Sequence, residues 1–180
     1  KSLFPERGTS PVYDGGYFLQ ILARQYLYTR DSEFLRAARP AIDHTLSWLK
    51  MKRDASRTGN MVGSEGYGLI RGRTTGDLGH AAQAYCNDAP CWRGMMEMEQ
   101  ALAVYANAVG DTDTADRTRT LRADADSYRS DILASLRASV NRESDPPFVP
   151  IIVGNTTPYA NMHLNRLVSY ANFRMYNHVL

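Results

Sequence analysis

The sequence has few cysteines, little net charge and no long apolar run, the features that most readily indicate a metal-binding, nucleic-acid-binding or membrane protein. It contains only two cysteines, too few for a structural zinc site. Its 21 basic and 19 acidic side chains leave a net charge of +2, which gives no electrostatic reason to expect a nucleic acid partner. No apolar run approaches the roughly 20 residues that cross a bilayer, and the run 149–153 contains a proline. We therefore expect a soluble protein with no nucleic acid or membrane partner.

The length and the two ends of the sequence bear on domain organisation. At 180 residues the chain can bury one sizeable core, and we expect a single domain over 1–180. The sequence begins with Lys1 rather than Met, and its last ten residues are still helical in pattern at Leu180. We therefore expect a partial domain that belongs to a longer polypeptide.

The two cysteines, Cys86 and Cys91, are five positions apart, with Pro90 between them. A turn at the proline would let them form a local disulfide, whereas a helix entry would leave two free thiols. Both alternatives stay open at the level of sequence. Neither cysteine completes a metal-ligand pattern with a histidine, so we predict no metal and no cofactor.

Apolar residues recur at helical spacing in the first third of the chain. The segment 14–29 carries them on more than one side, Ile21 included, which predicts a helix buried on several sides. A second helix follows, with Asp31 as a candidate cap, and we expect Pro40 to break it near its first turns. The apolar positions of this second helix step by three and four, at Leu35, Ala38, Ile42, Leu46 and Leu49.

The middle of the chain repeats this arrangement. Proline is common among the first residues of a helix and glycine just after its end, so Pro90 and Gly110 predict a third helix between them. A strongly amphipathic fourth helix is expected over about 112–140. The apolar face of the third helix comprises Met95, Met98, Leu102, Tyr105 and Val109, and that of the fourth Leu121, Ala125, Tyr128, Ile132, Leu136 and Val140.

These helices pair into two αα-hairpins, over about 14–52 and 85–140, and a third hairpin begins at about 161–180. The fold class that follows is all-α. The turns inside the hairpins are short, whereas the connections 51–84 and 141–160 are long. If the hairpins pack side by side, both long connections lie at the same end. Long loops in compact domains are commonly functional, so we expect the functional site there.

Three stretches resemble the repeating unit of the six-hairpin glycosidases. Residues 13–53 begin with "YDGGYFLQILARQYLYTRD" and are similar to an inner helix, its turn and a Pro-containing outer helix. Residues 67–136 begin with "YGLIRGRTTGDLGH", which looks like the glycine-rich loop before the next hairpin. The stretch "PPFVPIIVG" and the segment 157–180 are similar to a further loop and inner helix.

The resemblance implies part of an (α/α)6 toroid that hydrolyses glycosidic bonds in an oligosaccharide or glycoside, by inversion with two carboxylates. A whole toroid has twelve helices, whereas about five are expected here, so the general base would lie beyond Leu180. The remainder of the toroid, or a partner subunit, would cover the exposed inner helices. The implied substrate is a carbohydrate.

Two residues are candidates for the general acid. Such an acid must stay protonated near neutral pH, which a carboxyl group achieves by partial burial. Asp77 lies between glycines just before a helix, where its alternative role is to cap that helix. Glu65 is the second candidate, and its alternative is a solvated loop carboxylate. Asp14 and Asp88 are further carboxyl groups in this region, with helix capping as the leading role for Asp14.

Sugar sites combine aromatic rings that stack on the pyranose with polar side chains that bind its hydroxyl groups. Five residues of these types crowd the same region and are predicted to bind substrate: Tyr67, Tyr85, Asn87, Trp92 and Arg93. Core packing is the alternative for Trp92, and an ion pair with Asp88 the alternative for Arg93. His80 and Cys86 lack a third member of a catalytic triad.

Two other function classes remain open. The same loops could belong to a non-catalytic helical-hairpin module that binds a carbohydrate or a protein. A toroid could also carry polysaccharide lyase or epimerase chemistry, in which Tyr and His replace the carboxylate pair. Fold analogy does not separate these alternatives.

Overall fold

The computed structural model describes residues 12–73, 81–150 and 152–154, which form four long helices and a short pair of strands. Helices cover 72% of these residues, so the all-α class is broadly confirmed. The elements are α1 (Tyr13–Thr29), α2 (Ser32–Gly59), β1 (Arg71–Arg73), β2 (Ala81–Gln83), α3 (Tyr85–Val109) and α4 (Thr112–Ala138). The strands, which pair antiparallel, are an addition that the sequence pattern did not predict. The third hairpin expected at 161–180 lies outside the described residues.

The two hairpins turn in the same way. Each first helix ends at a residue in the left-handed conformation, Arg30 at φ 58° and Gly110 at φ 71°, whose N–H bonds back to a carbonyl of the last turn. An aspartate then caps the second helix: Asp31 Oδ1 accepts from Phe34 N at 2.9 Å, and Asp111 Oδ1 accepts from Thr114 N at 2.9 Å. The predicted caps Asp31 and Gly110 are confirmed, Arg30 and Asp111 are additional caps, and the two-residue connections make each pair of helices antiparallel.

Two helix boundaries differ from the prediction. Helix α2 continues through Pro40 to Gly59, about two turns beyond the predicted end. Pro40 and Arg36 are both exposed, so the Arg36 carbonyl that loses its helical partner can bond to water. The additional turns are held by Arg53 and Arg57, which bind Asp131 of α4. Helix α3 begins at Tyr85, so Pro90 lies in its second turn.

The hairpins pack side by side with corresponding helices parallel. Near the start of α1 and α3, Gly16 lies against Pro90 and Gly94, and near their ends the rings of Tyr26 and Tyr105 meet edge to face at 6.0 Å. Helices α2 and α4 also run parallel. Arg39 Nη1 bonds to Thr114 Oγ1 at 3.1 Å near their starts, and Arg53 bonds to Asp131 at 2.8 Å near their ends.

The apolar faces are largely placed as predicted. Helices α2 and α4 bury their apolar stripes, at Leu35, Ile42, Leu49, Leu121, Ala125 and Tyr128. Helix α1 differs, because Ile21 is 67% exposed and only one side packs on α3. Val109, placed on the apolar face of α3, is 46% exposed at the end of that helix. The core therefore lies between the two hairpins and leaves one flank of α1 uncovered in the described structure.

Both long connections meet at one end of the hairpins, as expected. Val12 N, just before α1, donates to Arg73 O of β1 at 3.2 Å, and Ala84, just before α3, bridges to Ile152. Val153 N donates to Gln83 O of β2 at 3.0 Å. We call this region the loop end; it comprises residues 60–73, 81–84, 139–150 and 152–154 and the first turns of α1 and α3.

The close approach of α1 to α3 yields a stability prediction. A Cβ at Gly94 would overlap the backbone carbonyl oxygen of Gly16, which can move only if the helices separate. Gly94→Ala should therefore lower the free energy of unfolding by about 1–3 kcal/mol, although alanine favours a helix. Urea unfolding of both proteins measures this difference.

Gly59→Ala is the matched control, since Gly59 is also helical and has no atom within 4 Å of an added Cβ among the described residues. It should change the unfolding free energy by less than about 1 kcal/mol, in either direction. Equal effects of the two substitutions would contradict the close packing of α1 on α3.

Candidate functional site

The segment 60–70 is anchored to the ends of α2 and α4 by side chains that bond to its backbone. Gln83 Nε2 donates to Gly66 O at 2.7 Å and to Leu69 O at 2.9 Å. Ser56 Oγ of α2 also donates to Gly66 O, at 2.8 Å, and Ser135 Oγ of α4 donates to the Glu65 carbonyl. Polar contacts to its backbone therefore order this segment.

One glycine of this segment is required by its surroundings. Gly68 has φ +73° and lies against the side chain of Asp131, where a Cβ would overlap the carboxyl group. Asp131 Oδ2 accepts from Arg53 Nη2 and from Arg57 Nη2, at 2.8 Å each. The loop backbone thus passes directly over an ion-pair cluster between α2 and α4.

A buried carboxyl group forms the centre of the loop end. Asp88 lies in the first turn of α3 and has no exposed surface. Its Oδ1 accepts from the backbone N–H of Ile70 at 2.8 Å and from the hydroxyl of Tyr128 at 2.6 Å. Within the described ranges Oδ2 has no hydrogen-bond partner. Asp88 therefore connects three separate parts of the chain.

Burial raises the pKa of Asp88 to about 7, although the bonds from Ile70 and Tyr128 and the charge of Arg53 act in the opposite direction. The Arg53 guanidinium lies 4.0 Å from the centre of the Tyr128 ring, so this cation is close to the carboxyl group without a direct bond to it. Burial also raises the pKa of Tyr128 well above its usual value. Because Asp88 is enclosed, it serves as an internal connection and has no surface for a substrate.

The two predicted acids have different outcomes. Asp77, together with His80, lies outside the described residues. Glu65 is half-buried in the anchored segment, with its backbone carbonyl held by Ser135. Burial raises the pKa of Tyr85, and the nearby Glu65 carboxylate raises it further, which places that carboxylate beside the start of α3.

Tyr85 and Asn87 are buried more deeply than substrate-binding residues need to be. Tyr85 is 3% exposed, and its hydroxyl lies 2.8 Å from both Ser135 Oγ and Ser139 Oγ of the α4 end. Asn87 has no exposed surface, and its Nδ2 has no partner among the described residues. Neither offers a face to a sugar. Tyr85 connects α3 to the end of α4, whereas Asn87 Oδ1 accepts from the adjacent Cys86 thiol at 3.9 Å.

Tyr67 is half-buried, with its ring centre 5.9 Å from the Arg57 guanidinium carbon, and so keeps part of its ring surface for a ligand. Trp92 is also half-buried and packs against the core, and its Nε1 lacks a partner within the described part of the chain. Arg93 is exposed and binds Glu97 at 2.7 Å. Arg93 therefore pairs with Glu97 and not with Asp88, the alternative partner that the sequence suggested, because Asp88 is enclosed.

Asp14 and its neighbours belong to the loop end, where the sequence predicted a further carboxyl group with helix capping as its leading role. Asp14 is half-buried in the first turn of α1, and burial raises its pKa. Tyr13 and Tyr17 flank it, with ring centres 5.8 Å apart in an edge-to-face arrangement. The N-cap position itself is Val12, so Asp14 does not cap the helix. A half-buried carboxyl group and two half-buried tyrosine rings near the start of one helix are groups suited to a polar ligand.

The two cysteines are free thiols on α3 and do not form the disulfide that the sequence left open. Burial raises the pKa of Cys86 to about 12 and that of Cys91 well above its usual value. Thiols so disfavoured as thiolates are inert, which argues against cysteine chemistry here. Cys91 instead packs beside Val12, to whose carbonyl its thiol donates at 3.4 Å.

A membrane-spanning helix and a metal site are two further features that the described ranges could carry. None of the helices there combines the length and the apolar composition that a membrane crossing needs. In the same ranges, no cluster of three or more His, Cys, Asp or Glu side chains is arranged to hold a metal ion.

Comparison with known proteins adds no family assignment. No family model, curated protein or solved structure matches this chain. The resemblance to six-hairpin glycosidases therefore remains a prediction, and the role of each residue depends on its position at the loop end.

Asp88 yields a prediction about pH dependence. Its pKa is about 7 in the folded protein and about 3.9 in an unfolded chain, so the folded state holds the proton more tightly. Its contribution to stability is therefore fully present below about pH 4 and is lost as the pH rises to about 7. In Asp88→Asn, which cannot titrate, the free energy of unfolding relative to wild type should rise by up to about 4 kcal/mol across that interval.

Urea unfolding at a series of pH values measures this difference. Tyr128→Phe is the companion variant, because removing the hydroxyl leaves Asp88 one donor fewer and should move the loss of stability to higher pH. A difference between Asp88→Asn and wild type that stays constant with pH would show that Asp88 is ionised throughout.

Proposed function

We propose that this chain is part of an (α/α)6 toroid and contributes to the hydrolysis of a glycosidic bond at the loop end. The observation that carries the proposal is the arrangement of the two hairpins. Helices α1 and α3 run parallel, α2 and α4 run parallel, and both long connections meet beside the first turns of α1 and α3. Repetition of this unit around an axis would produce an inner and an outer ring of helices with all long loops at one end.

The groups accessible at that end suit a carbohydrate. Glu65 and Asp14 are half-buried carboxyl groups, and Tyr13, Tyr17 and Tyr67 are half-buried rings. Rings of this kind can stack on a pyranose, and carboxyl groups can bind its hydroxyl groups or transfer a proton. The buried polar residues behind them, Tyr85 and Asp88, hold the surrounding backbone and do not take part in the reaction.

In this proposal the general acid is Asp77 or Glu65, and it donates a proton to the glycosidic oxygen as the bond to the leaving group breaks. Glu65 is supported as the acid by its backbone, which Ser135 holds, and by its half-buried side chain, which keeps part of its surface for a ligand. A second carboxylate activates water on the opposite face of the sugar, about 6.5–9.5 Å away in an inverting enzyme. We place that base in the remaining part of the toroid.

The reactivity of aryl glycosides tests this role. A panel of phenyl and 2,4-dinitrophenyl glycosides that differ in the sugar identifies the substrate. The Asp77→Asn and Glu65→Gln variants are then compared with wild type on both leaving groups. The variant that removes the acid should lower kcat/KM on the phenyl glycoside by about 10²–10⁴-fold, and much less on the dinitrophenyl glycoside, which leaves without protonation.

Asp126→Asn removes an exposed carboxyl group of α4 and should leave hydrolysis of both substrates unchanged. Equal losses on the two leaving groups would remove the tested residue from the role of acid. The assay uses the complete protein, with the part that carries the base, and its failure to hydrolyse any glycoside in the panel would contradict the hydrolase proposal. Saturable sugar binding without hydrolysis would then favour the non-catalytic module.

A further inference from the structure

A groove between α2 and α4 extends from Arg39 to Arg57, whose guanidinium carbon lies 5.9 Å from the centre of the Tyr67 ring at the loop end. It encloses about 300 Å³ and is lined by residues of α2, α3 and α4. This volume is at the lower limit of ordinary ligand pockets, so the groove could hold a small molecule. Five cationic side chains line it: Arg39, Lys50, Arg53, Arg57 and Arg117.

The groove has an excess of positive charge. Three carboxylates line it together with the five cations, namely Asp43, Asp54 and Asp124. Cations share the carboxylates that they contact: Asp43 binds both Arg39, at 3.0 Å, and Arg117, at 2.8 Å. Arg53 and Arg57 likewise share Asp131, which does not line the groove. Even with Asp131 included, the cations outnumber the carboxylates, and an added anion would find unused donor groups.

Arg53 supplies a buried donor without a partner. Its side chain is 4% exposed, and its Nη1 and Nη2 donate to Asp124 O at 3.2 Å and to Asp131 Oδ2 at 2.8 Å. Its Nε has no hydrogen-bond partner among the residues that the structure describes. A buried donor without a partner is unfavourable, above all on a charged group, so an acceptor that reached it would stabilise the bound state.

The floor of the groove is apolar. It is formed by side chains of all three helices: Leu46, Met95, Leu102 and Leu121. A free inorganic anion would use only the charged walls, whereas a ligand with an apolar part would also cover this floor. The combination of an apolar floor with cationic walls therefore selects a small amphipathic anion.

We propose that the groove between α2 and α4 binds a small organic anion, in which a phosphate or carboxylate group meets the cationic walls and an aromatic or aliphatic part covers the floor.

Phenyl phosphate is the probe for this chemistry. Inorganic phosphate and benzyl alcohol separate the contributions of the charged and the apolar part. Isothermal titration calorimetry of the wild-type protein should give saturable binding of phenyl phosphate, weaker binding of the other two probes, and weaker binding of phenyl phosphate as salt is added.

The double variant Lys50→Gln/Arg117→Gln tests the location. Both side chains are more than half exposed, and Asp54 and Asp43 keep Arg57 and Arg39 as partners, so the fold should persist. Arg53 is left intact, since its removal would deprive the buried Asp131 of a partner. The Kd for phenyl phosphate should rise about tenfold or more in this variant.

The control is Arg119→Gln/Arg122→Gln, which removes two exposed cations of α4 that do not line the groove. It makes the same change in net charge and should alter the Kd less than twofold, by the weak effect of distant surface charges. Equal weakening by the two double variants would mean that only net charge matters, and would overturn the proposal. Absence of saturable phenyl phosphate binding to the wild-type protein at low millimolar concentration would also overturn it.

Discussion

The enclosed carboxyl group of Asp88 is the interaction on which the loop end depends. It receives the Ile70 amide from the segment before β1 and the Tyr128 hydroxyl from α4, while it belongs to the first turn of α3. An ionisable group without exposed surface is costly to bury, and two hydrogen bonds and the charge of Arg53 offset only part of that cost. Its raised pKa is the consequence of this incomplete compensation.

Arg53 links Tyr128, the partner of Asp88, to a second set of polar contacts between the ends of α2 and α4. Its guanidinium covers the Tyr128 ring and binds Asp131, which also binds Arg57 and lies against Gly68 of the anchored segment. The additional turns of α2 beyond the predicted end exist where these two arginines reach α4. The length of α2, the position of the loop and the environment of Asp88 are therefore consequences of one continuous set of polar contacts.

The helices were predictable because their signals are local. The stripe that includes Leu35 and Ile42 has the spacing of one helix face, and Asp31 and Gly110 mark helix ends by the conformations that they favour. The strands and the partners of Asp88 were not predictable, because each depends on residues far apart in the chain. Asp88, for example, bonds to residues 18 and 40 positions away. The prediction that Pro40 breaks α2 was wrong: the exposed Arg36 carbonyl can bond to water in place of the amide that proline lacks, and the helix continues.

The predicted substrate contacts show why a sequence alone does not distinguish ligand-binding residues from residues that form internal hydrogen bonds. Tyr85 and Asn87 were selected because polar and aromatic residues crowd the start of α3, yet internal hydrogen bonding and ligand binding require the same residue types. What separates the two uses is whether the hydrogen-bond partner lies within the chain: the Tyr85 hydroxyl meets those of Ser135 and Ser139, which are 50 and 54 positions away. In Glu65 the backbone is held by Ser135 while the side chain remains half-buried. A fixed backbone with an accessible carboxyl group is the arrangement that a functional loop residue requires. Buried polar residues such as Ser135 provide it, because their side chains bind the loop backbone and leave the loop side chains free.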